Sequence, residues 1–306
     1  MSRMGAMWLA AALLGIATLP LAAQPEPNVR VPAGMAHYVP SVFPDRIVVS
    51  PAQDGATGLA VAWRTDAQVD APLLEIVVAG DSPDLGQPRQ VRAVTRARHE
   101  APAQAHHHRA DVDGLQPDTL YAWRVQGAGT WSAWHHTRTA AAADAPLTLL
   151  YFGDTQNRNV GHVTRVVREA MRHAPEARLA LFAGDLVSGG DGRDDIEWGE
   201  WFEAMGALPT SMAIAPAAGN HEYTDFHEDT PQEYKALGAH WPLAFALPRN
   251  GSEAVPDTSY WFDYQGVRVA VVDGTSALEH GTAAAQARWL ERALSGAAGR
   301  WRIVLL

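Results

Sequence analysis

Three apolar runs in the second half of the chain each end at a glycine that is followed by a side chain able to bind a metal. The runs and the residues after them are Leu147–Phe152 before Gly153-Asp154, Leu179–Ala183 before Gly184-Asp185, and Met212–Ala218 before Gly219-Asn220-His221-Glu222. Short apolar runs bounded by turn residues are typical of strands buried on both faces. In an open α/β sheet, ligands bind beyond the carboxyl ends of such strands. The sequence therefore predicts that Asp154, Asp185 and Asn220 meet at one edge of one sheet.

The spacing of these clusters fits a repeated strand-helix-strand unit. Asp154 and Asp185 lie 31 positions apart, and Asp185 and Asn220 lie 35 positions apart, close to the roughly 30 residues that one such unit needs. A single Gly-Asp pair after a strand is more often a helix N-cap or a turn than a ligand site. Three such turns at one sheet edge favour a site, because sites in α/β folds form at that edge.

The segments around the clusters alternate between helix and strand patterns. Three of them carry apolar residues at helical spacing. The predicted helices are Val160–His173, Ile196–Leu208 and Thr282–Leu294. Tyr260–Tyr264 and Val267–Val272 flank Gln265-Gly266, which is typical of a hairpin, and we expect this hairpin to feed a second sheet. Another buried strand is predicted to start at Trp301.

The front of the chain, residues 43–139, has a strand pattern instead. Leu59–Trp63, Leu74–Val78 and Tyr121–Val125 place apolar residues two apart between turn residues, without helical segments between them. This pattern predicts an antiparallel sandwich of about 100 residues. Tyr121 follows a Leu-x-Pro-x-Thr turn, so its hydroxyl is expected to fold back onto upstream backbone as a tyrosine corner. Together these features resemble a fibronectin type III-like domain.

Adjacent histidines in this front domain suggest a metal site, but the strand pattern argues against one. Consecutive side chains of a strand point to opposite faces, so His106, His107 and His108 cannot all converge on one ion. The same argument applies to His135 and His136. We therefore predict that both groups are structural.

The N-terminus has the pattern of an export signal. Arg3 precedes the apolar stretch Ala6–Leu21, and Ala22-Ala23 before Gln24 offers a small-residue cleavage site. This predicts a signal peptide over 1–23 and a periplasmic or secreted protein. The alternative is an uncleaved membrane anchor, which the shortness of the apolar stretch disfavours. Residues 24–42 are predicted to be a linker or a surface strap, and residues 140–146 a small-residue hinge.

The charge balance limits the partners of the protein. A formal charge of -10 and a pI near 5.7 argue against nucleic acid or an anionic membrane surface as the main partner, because such surfaces are bound by clustered Lys and Arg. No membrane contact beyond the signal peptide is expected. The composition leaves the oligomeric state open.

The motifs of the second half carry a resemblance to a known family. GDTQ at Gly153, GDLVSGG at Gly184 and GNHE at Gly219 resemble, in order and spacing, the first three signatures of calcineurin-like metallophosphoesterases. The sandwich in front and YWFDYQGVRVAVVDGTS at Tyr260 make the chain most similar to purple acid phosphatases and their bacterial relatives. The resemblance implies a fibronectin III-like β-sandwich over 43–139, followed over 147–306 by an α/β metallophosphoesterase domain, a two-sheet α/β sandwich that is incomplete at its C-terminus.

The resemblance also implies a dinuclear metal site that hydrolyses a phosphate ester substrate. Two cations neutralise the phosphoryl oxygens and acidify a bound water, which becomes the nucleophile. Asp154 would bind the first metal, Asp185 would bridge both, and Asn220 would bind the second. His221 would donate a hydrogen bond or a proton to the leaving group. Glu222 is expected to orient this loop through hydrogen bonds rather than to bind metal.

Two positions depart from the family pattern. Purple acid phosphatases carry an iron-binding Tyr three residues after the second Asp, and this chain has Ser188 there. A hydroxyl without a phenolate cannot give the purple charge-transfer band, so we predict a colourless protein whose metals are open among Fe, Zn, Mn and Mg. Gln156 stands where many relatives have a His ligand. Its amide oxygen is expected either to touch the first metal or to face a neighbouring ligand or the substrate.

The remaining family ligands are His residues on later strands, and no His after Gly153 lies at a matching position. The chain ends at Ile303–Leu306, inside what resembles one of those strands. It is therefore expected to be a fragment that binds metal weakly, is inactive, and aggregates or unfolds, since an unpaired strand edge is costly. The leading hypothesis for the function is an acid phosphatase-like phosphomonoesterase. The alternatives are a phosphodiesterase and a non-catalytic exported surface-binding protein with a degenerate phosphoesterase domain.

Overall fold

The computed structural model describes residues 28–32, 34–66, 68–98, 104–188, 195–227, 229–297, 299 and 301–306. The predicted signal peptide, residues 1–23, and the first residues of the predicted linker lie outside these ranges. Within them, no helix has both the length and the apolar character that crossing a membrane requires.

Eight strands in the first half form two four-stranded antiparallel sheets. The strands are β1 (Asp45–Pro51), β2 (Leu59–Thr65), β3 (Leu73–Val78), β4 (Arg89–Arg92), β5 (Val94–Arg98), β6 (Ala105–Val112), β7 (Leu120–Val125) and β8 (His135–Arg138). The strand orders are β1-β2-β6-β5 and β4-β3-β7-β8. Apolar side chains of both sheets, including Trp63 and Trp123, form one buried cluster. The predicted antiparallel sandwich is therefore confirmed.

Strand β2 joins the sandwich to the rest of the protein. All seven of its residues are buried, although alternate residues of a strand point to opposite faces. Leu59 and Val61 pack in the core of the sandwich, whereas Ala60 and Ala62 pack in the core of the second domain. One sheet of the sandwich therefore forms a wall between the two cores.

Tyr121 on β7 forms the predicted tyrosine corner. Its hydroxyl accepts a hydrogen bond from the backbone N–H of Gln116 at 2.8 Å. The chain is also fixed where it leaves the sandwich, because Ala140 is buried and its N–H donates to the carbonyl of Gly55 at 2.9 Å. The predicted hinge, residues 140–146, thus begins at a residue that is held by the sandwich.

The three adjacent histidines lie on strand β6. The rings of His106 and His108 contact each other with centroids 6.2 Å apart, and His108 bonds the hydroxyls of Thr65 (2.7 Å) and Thr95 (2.9 Å). His107 instead faces Arg64 and Arg46, and burial lowers its pKa well below the ordinary value, helped by these charges. The prediction that the three imidazoles do not converge is confirmed.

The second domain begins with three parallel strands in the order β11-β10-β9. They are β9 (Leu149–Phe152), β10 (Leu179–Ala183) and β11 (Ala213–Ala217), and the helical segments between them are a π-helical turn (Asn159–Val163), α1 (Thr164–His173), α2 (Asp195–Met205) and α3 (Leu208–Ser211). The three apolar runs thus form the predicted strands. The predicted helix Ile196–Leu208 ends earlier, at Met205, because Gly206 follows with a left-handed φ of 58° that terminates it.

A short hairpin and a second sheet follow. These elements are β12 (Tyr223–Phe226), β13 (Tyr234–Leu237), α4 (Trp241–Ala244), β14 (Tyr260–Tyr264), β15 (Val267–Val271), α5 (Gly274–Glu279), α6 (Ala283–Ser295) and β16 (Trp301–Leu305). Strands β14, β15 and β16 form the sheet in that order. Gln265 and Gly266 have φ values of 49° and 78°, as a type I′ turn requires, so the predicted hairpin is confirmed. Both sheets of this domain contribute to one apolar core.

Asp195, the first residue of α2, lies in a cluster of cations between the domains, which we call the junction cluster. Its carboxylate oxygens lie 2.9 Å from a nitrogen of Arg46, 3.2 Å from Arg64, 3.5 Å from Arg98 and 3.1 Å from His240. Burial alone would raise the pKa of Asp195. The hydrogen bond from His240 and the charges of Arg46 and Arg64 outweigh burial and hold this pKa far below its ordinary value. The sandwich therefore fixes the start of α2.

Candidate metal centre

Parallel pairing brings the three predicted clusters to one edge of the first sheet. Ala183, the last residue of β10, pairs with Ala217, the last residue of β11, and Phe152, the last residue of β9, pairs with Phe182, one residue earlier in β10. Asp154 and Asp185 each follow their strand by two positions, and Asn220 follows its strand by three. Asp154 and Asn220 are exposed and Asp185 is half-buried. The loops carrying these residues therefore leave the sheet side by side and open to solvent.

Both aspartates have a left-handed backbone conformation, with φ of 50° at Asp154 and 53° at Asp185. Aspartate is one of the few residue types that adopts this conformation at modest cost. Gly184 is also left-handed, and a Cβ added to it would lie 2.8 Å from the Cα of Gly219. Glycine is therefore required where the second and third loops approach each other. Backbone strain of this kind is concentrated at functional sites.

The GNHE loop contacts Asp185 directly. The backbone N–H of His221 donates to Oδ1 of Asp185 at 3.1 Å. A Cβ added to Gly219 would lie 2.1 Å from the same oxygen, so only glycine allows this approach. Asn220 lies between Gly219 and His221 in the sequence, and the backbone therefore places it next to Asp185.

Glu222 ties the second loop to the third. Its buried carboxylate accepts hydrogen bonds from the backbone N–H groups of Asp185 (2.9 Å), Leu186 (2.7 Å) and Gly219 (2.7 Å). Burial raises the pKa of Glu222 to about 7, although these N–H donors oppose the rise. Because both of its carboxylate oxygens accept hydrogen bonds from backbone N–H groups, Glu222 holds the two loops together and is not positioned as a metal ligand.

The carboxyl group of Asp154 lies near enough to that of Asp185 for its charge to act on it. Partial burial raises the pKa of Asp185, the charge of Asp154 adds to the rise, and the N–H and charge of His221 oppose it. Among the described residues, no arginine or lysine pairs with either carboxylate. A cation at this position would remove their repulsion.

Two polar atoms beside the aspartates are buried and have no hydrogen-bond partner. They are Oε1 of Gln156 and Nδ1 of His221. Buried polar groups are normally paired, so each such atom calls for a missing partner. Carboxylate and amide oxygens together with an imidazole nitrogen are suitable donors for Fe, Zn, Mn or Mg ions. These side chains offer donors of a suitable type, but within the described ranges no three His, Asp or Glu residues come together, so amide oxygens would have to complete the site.

Ser188 and Glu197 form a second layer behind the aspartates that the sequence did not reveal. Oε2 of Glu197 accepts the N–H of Ser188 at 2.7 Å, and Oε1 accepts its hydroxyl at 3.0 Å. Glu197 and Glu200 are both buried, on a helix that also buries Trp198 and Trp201. Acidic residues in such a tryptophan-rich stripe are the sequence signal that could have identified this layer.

Comparisons with known proteins agree with this geometry. The model of the purple acid phosphatase N-terminal domain matches residues 44–139, and the calcineurin-like phosphoesterase model matches residues 147–305. The chain belongs to the calcineurin-like phosphoesterase family. The predicted family and the predicted order, a β-rich domain followed by an α/β phosphoesterase domain, are confirmed.

Individual relatives differ in sequence identity to this chain and in the share of each protein that the similarity covers. Two uncharacterized proteins from strains of Mycobacterium tuberculosis are 27% identical over 274 residues, which cover 80% of this chain and 49% of theirs. The chain thus spans about half the length of these curated relatives. Among solved structures, the purple acid phosphatase PPD1 from yellow lupin (Lupinus luteus) seeds has a TM-score of 0.66 at 17% identity, covering 86% of this chain and 50% of that one. PhoD has a TM-score of 0.55 at 13% identity, covering 88% and 63%. Both structures share the fold.

Proposed function

We propose that the protein hydrolyses phosphate monoesters, in the manner of an acid phosphatase, with two metal ions at the sheet edge of Asp154 and Asp185. The observation that carries the proposal is the pair of neighbouring carboxyl groups, which no arginine or lysine of the described residues neutralises. Membership in the calcineurin-like phosphoesterase family supports a metal-dependent reaction on phosphate esters.

Each side chain has a defined part in this reaction. When bound, the metal ions supply charge neutralisation of the phosphoryl oxygens and a more acidic water. Asp154 and Asp185 hold them through carboxylate oxygens, and the amide of Asn220 adds a neutral oxygen donor. His221, with Nδ1 buried and without a partner, donates a proton or a hydrogen bond to the leaving oxygen. Glu222 keeps the loop of His221 against Asp185.

A metal titration tests the proposal. The chelated protein is loaded separately with Fe, Zn, Mn or Mg and assayed with aryl phosphate monoesters and diesters, alongside Asp154→Asn. Hydrolysis of the monoester is expected to require added metal and to be lost in the variant, while its far-UV circular dichroism stays unchanged. Turnover by this chain is expected to be very slow, close to the inactivity expected from the sequence, and the second ion weakly held, because no third His, Asp or Glu of the described ranges joins Asp154 and Asp185. Equal turnover by parent and variant would refute the assignment.

The same experiment separates the alternative functions. The small number of strong ligands among the described residues at this edge is the observation that favours a non-catalytic binding protein that keeps the fold as a scaffold. Such a protein would show neither tight metal binding nor turnover of either ester. A phosphodiesterase would hydrolyse the diester faster than the monoester under the same metal load.

We further propose that the protein is exported. The support is the pattern of Arg3, the apolar stretch Ala6–Leu21 and the small residues before Gln24. Mass spectrometry of the protein from its native host is expected to find Gln24 at the N-terminus. Retention of Met1 in the purified protein would contradict cleavage.

A further inference from the structure

A segment near the N-terminus lies along helix α2, next to the candidate metal centre. This strap consists of the described residues in the range 28–38. Its backbone N–H groups at Arg30 and Val31 donate to Oε1 of Glu200 at 2.6 and 3.1 Å. Farther along, the hydroxyl of Tyr38 donates to Glu203. The strap is therefore bound to the phosphoesterase domain and not only to the sandwich that follows it in the chain.

The helix is adapted to hold the strap. Glu197, Glu200 and Glu203 are spaced by three, so they lie along one face of α2, and all three contact the strap. On the same helix a Cβ added to Gly199 would lie 2.3 Å from the ring of Tyr38, so glycine makes room for that ring. Burying Glu200 almost completely would be costly without the two N–H donors of the strap.

Asn28, at the start of the strap, connects the two loops that carry the aspartates. Its Oδ1 accepts the backbone N–H of Arg158 at 2.8 Å, four residues after Asp154. Its Nδ2 donates to Oγ of Ser188, three residues after Asp185, and to Oε1 of Glu197 at 3.4 Å. One side-chain amide therefore joins the first loop, the second loop and α2.

Only an amide suits this position. Asn28 accepts with its oxygen and donates with its nitrogen, whereas Asp would place a second carboxylate against Glu197, and Ala would leave the N–H of Arg158 without its partner. The hydroxyl of Ser188 is engaged by Asn28 and Glu197. The side chain of Ser188 therefore contacts the strap and α2. The family resemblance implies a metal ligand at this position.

We propose that Asn28 is a positioning residue that sets the separation of Asp154 and Asp185 by tying their loops together from outside the phosphoesterase domain. This inference rests on the proposed function, because the loops are taken to hold metal. Partners that orient metal ligands without touching the metal typically change affinity by roughly 10–100-fold when they are removed. A strap that only covered surface would have no such effect.

The test compares Asn28→Ala with Tyr38→Phe, a matched control that removes one hydrogen bond at the far end of the same strap. Apoprotein is titrated with Zn²⁺ and with Mn²⁺ against a competing chelator. Asn28→Ala is expected to weaken binding of the first ion about tenfold or more, and Tyr38→Phe to change it less than about threefold. Asn28→Asp is expected to behave like Asn28→Ala, because it keeps the shape but loses the donors.

Hydrogen exchange of the metal-free protein provides a readout that does not depend on metal. The amide of Arg158, which loses its acceptor in Asn28→Ala, is expected to exchange faster in that variant and to stay protected in Tyr38→Phe. If the parent binds no metal but exchange rises, the proposed function fails and the tie between the loops stands. If the parent binds metal and Asn28→Ala binds it equally well, the positioning role is wrong. A double variant with Ser188→Ala should lose less than the sum of the two single losses.

Discussion

The sheet edge at Asp185 and the junction cluster at Asp195 each hold a partly buried aspartate, and the two regions differ in what surrounds its charge. At the junction, Arg46, Arg64 and Arg98 surround one carboxylate. At the sheet edge, Asp185 lies near a second carboxylate, that of Asp154. Among the described residues, cations therefore compensate the charge at the junction, whereas no arginine or lysine pairs with the carboxylates of the sheet edge.

The pKa directions express the same contrast. Burial would raise the pKa of both aspartates, but the cations of the junction reverse this for Asp195, whereas the pKa of Asp185 stays raised. A lowered pKa means that the folded protein favours the charged form without help. A raised pKa means that the charged form is strained until a cation arrives. This contrast is what a folding role for Asp195 and the proposed metal-binding role for Asp185 would produce.

The substitution Asp185→Asn should produce the largest effect on function. Hydrolysis at saturating metal is expected to fall about a thousandfold or more, because the metal ions supply several kcal/mol of stabilisation to the reaction. The metal-free variant should be at least as stable as the parent, since a carboxylate with a raised pKa is removed and the asparagine oxygen can still accept from His221. Kinetic assays and urea denaturation of the chelated proteins measure both. A large decrease in the free energy of unfolding of the metal-free variant would mean that Asp185, like Asp195, stabilises the fold.

The substitution Asp195→Asn should produce the largest effect on stability. Removing the anion leaves the buried guanidinium of Arg46 without its carboxylate, while Arg64 keeps Asp45, and breaking a buried ion pair costs about 3–5 kcal/mol. Urea denaturation of the chelated protein gives this free energy of unfolding. The metal affinity of the folded protein should change little. If metal affinity fell while the free energy of unfolding stayed the same, Asp195 would contribute to metal binding and not to folding.

The pH dependence of stability should also separate the two regions. Folding raises the pKa of Glu222 from 4.5 to about 7, so the folded state binds more protons than the unfolded state across this range. The contribution of Glu222 to the free energy of unfolding of the metal-free protein should therefore fall as the pH rises from about 4.5 to about 7, by on the order of 3 kcal/mol, whereas buried histidines such as His107, whose pKa is lowered, contribute in the opposite direction. Asp195, with its lowered pKa, contributes stability that is complete above its unfolded pKa of about 3.9 and is lost only on further acidification.

Glu222→Gln is the control for this pH dependence. It removes the titrating group, so the stability of the parent relative to the variant should fall between about pH 4.5 and 7. The variant should also be less stable at low pH, because the amide nitrogen of glutamine cannot accept from the N–H groups of Asp185 and Gly219. An unchanged difference in stability across this range would show that Glu222 is not the titrating group.

The parts of the structure that could be predicted from the sequence have local signals. Asp154, Asp185 and Asn220 follow apolar runs, the hairpin at Gln265 carries its turn residues, and Tyr121 follows a recognisable turn. Such patterns depend on a few neighbouring residues, and parallel register then aligns the ends of the strands.

The parts that could not be predicted depend on contacts between distant residues. Asn28 and Ser188 are 160 positions apart, and Arg46 and Asp195 are 149 apart. No periodicity links such pairs, since each contact exists only after both domains have packed. The polar residues of α2 were the available clue. A helical pattern that contains buried glutamates beside tryptophans, as at Glu197, indicates that a partner must bind those carboxylates.

Tyr121→Phe, the smallest of the expected effects, provides the scale for the comparison. The change removes one neutral hydrogen bond, from the N–H of Gln116, in a region that contains neither the sheet edge nor the junction cluster. A typical neutral hydrogen bond contributes about 1 kcal/mol, and Gln116 is exposed, so water can replace the lost acceptor. Urea denaturation should show a loss near this value, with metal affinity unchanged. If Tyr121→Phe lowered the free energy of unfolding as much as Asp195→Asn does, the pairing of charges at the junction would contribute no more than one neutral hydrogen bond. The junction and the sheet edge would then not differ in how charge affects stability.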